Sequence, residues 1–301
     1  MIDDDRLRRF LFEDAPVRGH WVRLSRAWRE AREHQVLPDA VMRLLGESLA
    51  AASLLAASLK FTGTLTLQLT GGSGRVTMLI AQATDVGTLR GVAHVDPAST
   101  DTGAGFQQLI GGGRLVVSVE QGAGVEPWQG VVPLDGSSLA ACLESYFLVS
   151  EQLPTCIVLA ADAEHAAGLL LQKLPAPAEL GEGAAASVQD VWEEAMALLR
   201  TLTTAELLTC DAQELLRRLF GNRDLRLFDG EPVNFACRCS RERVAAMLQG
   251  MGQAEVASVI EELGAVTVTC EFCQQAYRFD AVDAERLFLD LPAGSASGAV
   301  N

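Results

Sequence analysis

A chain of 301 residues with a formal net charge of −15 and an isoelectric point near 4.7 has room for one large core and a smaller module. Its charge opposes binding to a phosphate backbone, which needs clustered Lys and Arg. Apolar residues make up 49% and aromatic residues only 6%, so the core is built mainly from Ala, Leu and Val.

The start, Met1-Ile2-Asp3-Asp4-Asp5, is acidic where an export signal would be basic and then apolar. The most apolar window, Leu44 to Leu59, is interrupted by Glu47 and flanked by Arg43 and Lys60. It reads as a buried helix, too short and too alanine-rich to span a bilayer. The expectation is a cytoplasmic protein with no membrane and no nucleic-acid partner.

In chain order, Leu7 to Phe12 and Val17 to Leu24 read as strands and Ser25 to His34 as a helix. Pro38 suits the first turn of a second helix running to about Lys60. From Thr64 the apolar period changes to two, with Leu65, Leu67 and Leu69 alternating with polar neighbours. Strands at 75–83, 88–95 and 114–120 continue a meandering sheet. The glycine clusters at 71–74 and 111–113 lack the Lys-Ser/Thr of a phosphate loop and are read as hairpin turns. A strand over 129–134, a helix capped by Ser137 or Ser138 and running to about Val149, and strands at 155–161 and 168–174 complete this part. Cys142 and Cys156 lie among apolar neighbours and read as small buried hydrophobes. Glu144 and Glu151 read as capping or solvated carboxylates.

The fold class expected is α+β, divided into an N-terminal mixed-sheet domain over 1–178, a helical linker over 179–230, a small cysteine-rich domain over 231–290 and a disordered tail over 291–301. In the linker, Ser187 resembles a helix cap, and Val188, Val191, Trp192, Ala195, Met196, Leu199 and Leu202 follow at helical spacing. Asp211 caps a second helix. A short helix with one apolar stripe is marginal unless that stripe is docked. Cys210 is left as an odd thiol of this region.

The chemistry concentrates in Cys237-Arg238-Cys239-Ser240 and Cys270-Glu271-Phe272-Cys273, which hold four of the seven cysteines. Two tight pairs across a spacer suit a tetrahedral Zn²⁺ site. All four histidines lie more than seventy residues away, so Cys237, Cys239, Cys270 and Cys273 form the expected ligand set. Four protein ligands leave no open position for a hydrolytic water, which points to a structural or redox-labile metal. Between the pairs, Ser240 caps a helix to about Gln249, and a second helix runs from Gln253 to Glu262. Over 231–290 there are five Arg and no Lys against ten acidic residues, an unsuitable surface for a nucleic-acid-binding ribbon. Two other readings stay open at this point: a thiol-disulfide oxidoreductase using Cys270 and Cys273, and an interaction module whose zinc is only structural.

Nearly the whole chain resembles the redox-regulated 33 kDa heat-shock chaperone family. The resemblance is carried by Cys237 to Arg243, by Cys270 to Cys273 with Tyr277 and Phe279, by Tyr146 to Thr155, by Gln129 to Leu134, and by Leu55 to Gly63. It implies an ATP-independent holdase rather than an enzyme, resting with one Zn²⁺ per reduced chain. Oxidation would pair Cys237 with Cys239 and Cys270 with Cys273, release the zinc, favour a homodimer and allow binding of unfolding client proteins. The client surface expected here is the linker stripe of Val188, Val191, Trp192, Met196 and Leu199, with the sheet beneath it.

Overall fold

A computed structural model describes residues 4–98, 105–121, 128–175 and 182–289. The expected tail at 291–301 lies outside them. The chain divides into two units, Met1–Ala236 and Cys237–Asn301.

The first unit is organised around one long helix. After β1 (Arg6–Phe12), β2 (Val17–Leu24) and α1 (Arg26–Arg32), α2 runs from Asp39 to Ser58 with Pro38 as its N-cap. On length and composition α2, at 20 residues, could cross a membrane, which the sequence reading, taken on the window Leu44 to Leu59, excluded. It is instead buried in protein, packed on β-strands. Small residues make that possible. A Cβ at Gly46 would lie only 2.6 Å from that of Ala161, and the hydroxyls of Ser48 and Ser53 donate back to the carbonyls of Leu44 and Leu49 at 2.7 and 3.0 Å, so their burial leaves no unmet donor.

Glu47 is the acid in the interior of this helix. Burial raises its carboxyl to about 7, against a weaker opposing pull from Arg43. An acid raised above its unfolded value of 4.5 gives its full stability below that pH and loses it as pH rises through about 7. Glu47→Gln is therefore expected to flatten this decline and to gain up to about 3 kcal/mol at alkaline pH. Urea midpoints across the pH range check it; parallel profiles for the two proteins would contradict it.

The strands β3 (Thr64–Gly71), β4 (Val76–Thr84) and β5 (Thr88–Val95), the short helix α3 (Phe106–Ile110), then β6 (Gly113–Glu120) and β7 (Trp128–Pro133) follow. Next come α4 (Leu139–Val149), β8 (Thr155–Ala161) and β9 (Ala166–Lys173). The linker region holds α5 (Glu182–Leu199), α6 (Thr204–Thr209), α7 (Ala212–Phe220), β10 (Leu225–Leu227), β11 (Glu231–Pro232) and β12 (Asn234–Phe235).

Two sheets result. One has the order β10-β1-β2-β9-β8, with β11 also paired to β1. The other is β12-β5-β4-β3-β6-β7, antiparallel except where β12 runs parallel to β5. The alternation of Leu65, Leu67 and Leu69 turns these side chains toward α2, within a core that also takes Leu45, Leu49 and Leu54 from the helix. Of the glycine clusters, 71–74 joins β3 to β4 as a hairpin. The cluster at 111–113 does not: Gly111 ends α3 with φ +63°, and its carbonyl accepts from Ser73 N at 3.1 Å. A Cβ at Gly111 would collide with the backbone of Ser73 and Gly74, so glycine here lets two loops touch.

The opposite face of the first sheet carries a second core. Phe10, Trp21, Leu169 and Leu171 meet Val191, Trp192, Ala195 and Leu199 of α5 and Leu215, Leu216 and Phe220 of α7. The linker helices are thus a packed layer of the first unit. Arg23, nearly inaccessible on β2, fastens this layer: its guanidinium bonds Asp4 at 2.7 Å and donates to the Cys210 carbonyl at 2.8 Å. Arg223 adds an ion pair to Glu194 of α5. The helix α5 begins at Glu182, ahead of the cap expected at Ser187. The boundary between units falls after Ala236, later than the expected 231, because β11 and β12 pair with β1 and β5.

The second unit contains α8 (Arg241–Met251), α9 (Gln253–Leu263), β13 (Val266–Thr269), β14 (Ala276–Phe279) and α10 (Ala281–Leu289). Among the described residues its buried core is Leu248, Val256, Val266, Phe279 and Ala284.

Candidate metal centre

Two turns of the second unit bring four sulfurs together. Cys237 and Cys239 lie in the segment just ahead of α8, whose N-cap is Ser240; its hydroxyl accepts from Arg243 N at 3.3 Å. Arg241 holds this end of α8 in place by donating to the Arg278 carbonyl at 2.8 Å and to Asp283 at 2.7 Å, with its guanidinium 4.2 Å from the centre of the Phe279 ring. Cys270 and Cys273 sit on the turn between β13 and β14, where Cys270 N donates to Gln275 O at 3.0 Å and Gln274 N to Cys270 O at 2.8 Å. No helix opens at Cys270, so the local setting differs from the strand-to-helix arrangement of thioredoxin-like dithiols.

The four Sγ atoms lie within 4.8 Å of one another. The contacts across the two turns are 3.6 Å for Cys237 to Cys270 and 3.4 Å for Cys239 to Cys273. Neither is a covalent S–S distance, which is about 2.05 Å. A tetrahedron of sulfurs at about 2.3 Å from a central Zn²⁺ has edges of about 3.8 Å. The donor set and its spacing therefore fit such an ion.

Electrostatics agree with a site that needs a cation. Burial opposes ionisation of Cys237, but the Cys239 amide and the three neighbouring thiols outweigh it and bring this thiol down to about 7. Burial pushes Cys270 and Cys273 up, and for Cys273 the surrounding sulfurs push further. Cys237 can thus take a negative charge readily while Cys270 and Cys273 resist one. A central cation removes that conflict, because metal coordination deprotonates thiols outright.

The remaining cysteines are placed differently. Cys142 and Cys156 are buried in the first unit, and burial raises both thiols, Cys156 to about 12 with the Glu144 carboxylate adding to the effect. Cys210 is buried at the C-cap of α6. Glu144 accepts from Ile157 N at 2.7 Å and ties α4 to β8, and Glu151 accepts from the Tyr146 hydroxyl of α4 at 2.9 Å. The expected client residues Val188, Val191, Trp192 and Leu199 are buried, and Met196 packs partly buried beside them. A contact the sequence reading did not anticipate is the Tyr277 hydroxyl, which donates to Cys239 Sγ at 3.1 Å.

Comparison with known proteins decides the family. The family model described as "Hsp33 protein" matches residues 5–280. The chain belongs to the Hsp33 family. Similar Hsp33 relatives include the "33 kDa chaperonin" of Shewanella sediminis, 42% identical over 289 residues, or 96% of this chain and 97% of the relative. That of Azotobacter vinelandii is 42% identical over 300 residues, covering 99% and 98%. The crystal structure of a 33 kDa chaperonin from Thermotoga maritima shares the fold, with a TM-score of 0.78 at 24% identity over 94% of this chain and 97% of that one. The protein is accordingly a member of an α+β chaperone family, with four cysteines placed to hold a metal ion. Two of the segments singled out in the sequence also meet in space: a Cβ at Gly130 of β7 would lie 2.9 Å from the Tyr146 ring of α4.

Proposed function

We propose that this chain is a redox-regulated, ATP-independent holdase of the cytoplasm, which binds unfolding proteins and prevents their aggregation. In the reduced state Cys237, Cys239, Cys270 and Cys273 hold one Zn²⁺ per chain. The ion supplies a cross-link between the two turns of a unit with a small core. Oxidation by peroxide or hypochlorous acid joins Cys237 to Cys239 and Cys270 to Cys273, and oxidised sulfur no longer serves as a ligand. The second unit then loses order, the layer of α5 to α7 loosens, and its apolar stripe with the sheet face beneath becomes the client surface, commonly within a homodimer.

The observation that carries this reading is the closed set of four mutually close thiols on a unit with, among the described residues, a core of five buried apolar side chains. Thiolates at such a site remain open to electrophilic oxidants, unlike the buried Cys142 and Cys156. The test measures zinc content and the light scattering of a thermally unfolding client, before and after peroxide, on one sample without ATP. About one zinc per chain is expected to leave as scattering is suppressed. Zinc that stays, or leaves without any gain in suppression, would make the site a structural staple only.

A further inference from the structure

Sulfur ligands of a metal are tuned by the hydrogen bonds they accept. Backbone amides act on Cys237 (from Cys239), on Cys270 (from Phe272 and Cys273) and on Cys273 (from Gln275). Cys239 receives the phenol of Tyr277, at 3.1 Å. That donor comes from β14, where Tyr277 stands opposite Val268 of β13, and its ring packs against the small core of the second unit.

We infer that Tyr277 is a positioning residue that restrains the oxidation of Cys239, through the hydrogen bond from its hydroxyl to the sulfur. The inference rests on the reading of the four cysteines as an oxidisable metal site. Its physical basis is that a donated hydrogen bond draws electron density from the sulfur lone pair that would attack an oxidant. An ordinary phenol keeps its proton at neutral pH, so the donor is present throughout the physiological range.

The step it restrains is balanced as follows. The Cys239 thiolate attacks one oxygen of hydrogen peroxide: an S–O bond forms, the O–O bond breaks, and hydroxide leaves. The sulfur is oxidised by two electrons to a sulfenic acid and the peroxide is reduced. A neighbouring thiolate then attacks this sulfur, forming an S–S bond and expelling a second hydroxide, which water or buffer protonates. Since the backbone amides acting on the other three sulfurs are removed by no side-chain substitution, Tyr277 gives the site an adjustable threshold.

The test compares full-length reduced wild type with Tyr277→Phe, which keeps the ring in place and deletes only the donor. Metal release is followed with a chromogenic chelator, with and without peroxide, and early sulfenic acid is trapped and mapped by mass spectrometry. Peroxide-driven release is expected to be about threefold to tenfold faster in the variant, with the added early label on Cys239, while release to chelator alone is unchanged. Equal peroxide-driven rates, or extra label distributed evenly over the four cysteines, would overturn the inference and leave the metal site standing. Faster release to chelator alone would also overturn it, assigning Tyr277 a role in holding the unit together. Wild type that carries no metal would instead refute the reading beneath it.

Discussion

Chelating the metal from the reduced protein is expected to unfold the second unit while leaving the core of the first unit around α2 intact. The reason is a mismatch of magnitudes. Structural zinc contributes on the order of 10–16 kcal/mol of apparent binding free energy, whereas whole domains are stable by only about 5–15 kcal/mol. The second unit has little else to rely on. Of α8, only Leu248 is fully buried, and of α9 only Val256; β13 and β14 form an isolated two-stranded sheet, which is marginal by itself. The first unit, by contrast, holds two extended apolar cores that include no metal ligand.

Hydrogen exchange read by peptide gives the measurement. After chelation, amides of α8 to α10 should lose protection, while those of α2 and β3 to β6 keep theirs. The double substitution Cys270→Ser with Cys273→Ser should reproduce the same pattern without chelator. Persistent protection across α8 to α10 in metal-free protein would sink the idea that metal loss is a folding switch, and the client surface would then need another trigger.

Much of this organisation was legible in the sequence where a local signal exists. The period-two run from Thr64, the caps at Ser138, Asp211 and Ser240, and Pro38 ahead of α2 each correspond to a residue type that favours one backbone geometry. The cysteine spacing likewise brought four sulfurs to one place. What escaped has no local signature. The two-residue strands β11 and β12 are too short to show a period and exist because β1 and β5 offer edges to pair with; they move the unit boundary to Ala236. The helix α6 depends on a capping box between Thr203 and Glu206, with Glu206 N donating to the Thr203 hydroxyl at 3.2 Å and the carboxylate bonding back. Thr203 and Glu206 stand at capping-box spacing in the sequence, so this signal is a local one. Nor could spacing reveal that Tyr277 reaches Cys239, since this follows from the register of β13 against β14 and the return of the chain through two helices.

Trp192→Ala is expected to open the helical layer of the first unit without disturbing the four cysteines. Trp192 is 3% exposed, packed in the core that joins α5 to the outer face of the β1-β2-β9 sheet. Truncating a buried Trp costs about 3–5 kcal/mol, and a helix in a protein owes most of its stability to the packing of its apolar face. Amides over 188–199 should therefore exchange roughly two to four orders of magnitude faster, by the tenfold per 1.4 kcal/mol conversion. If the α5 stripe and the sheet beneath it form the client surface, the reduced variant should retain its zinc, bind an apolar dye and suppress client aggregation with no oxidant. Leu49→Ala in α2 supplies the comparison, because it removes a wholly buried side chain from the other core at about 2–5 kcal/mol. It should lower overall stability without creating holdase activity. A Trp192→Ala protein that opens as expected yet captures no client would remove α5 from the client surface, whereas equal gains in both variants would mean that any destabilisation of the first unit suffices and that the stripe has no special standing.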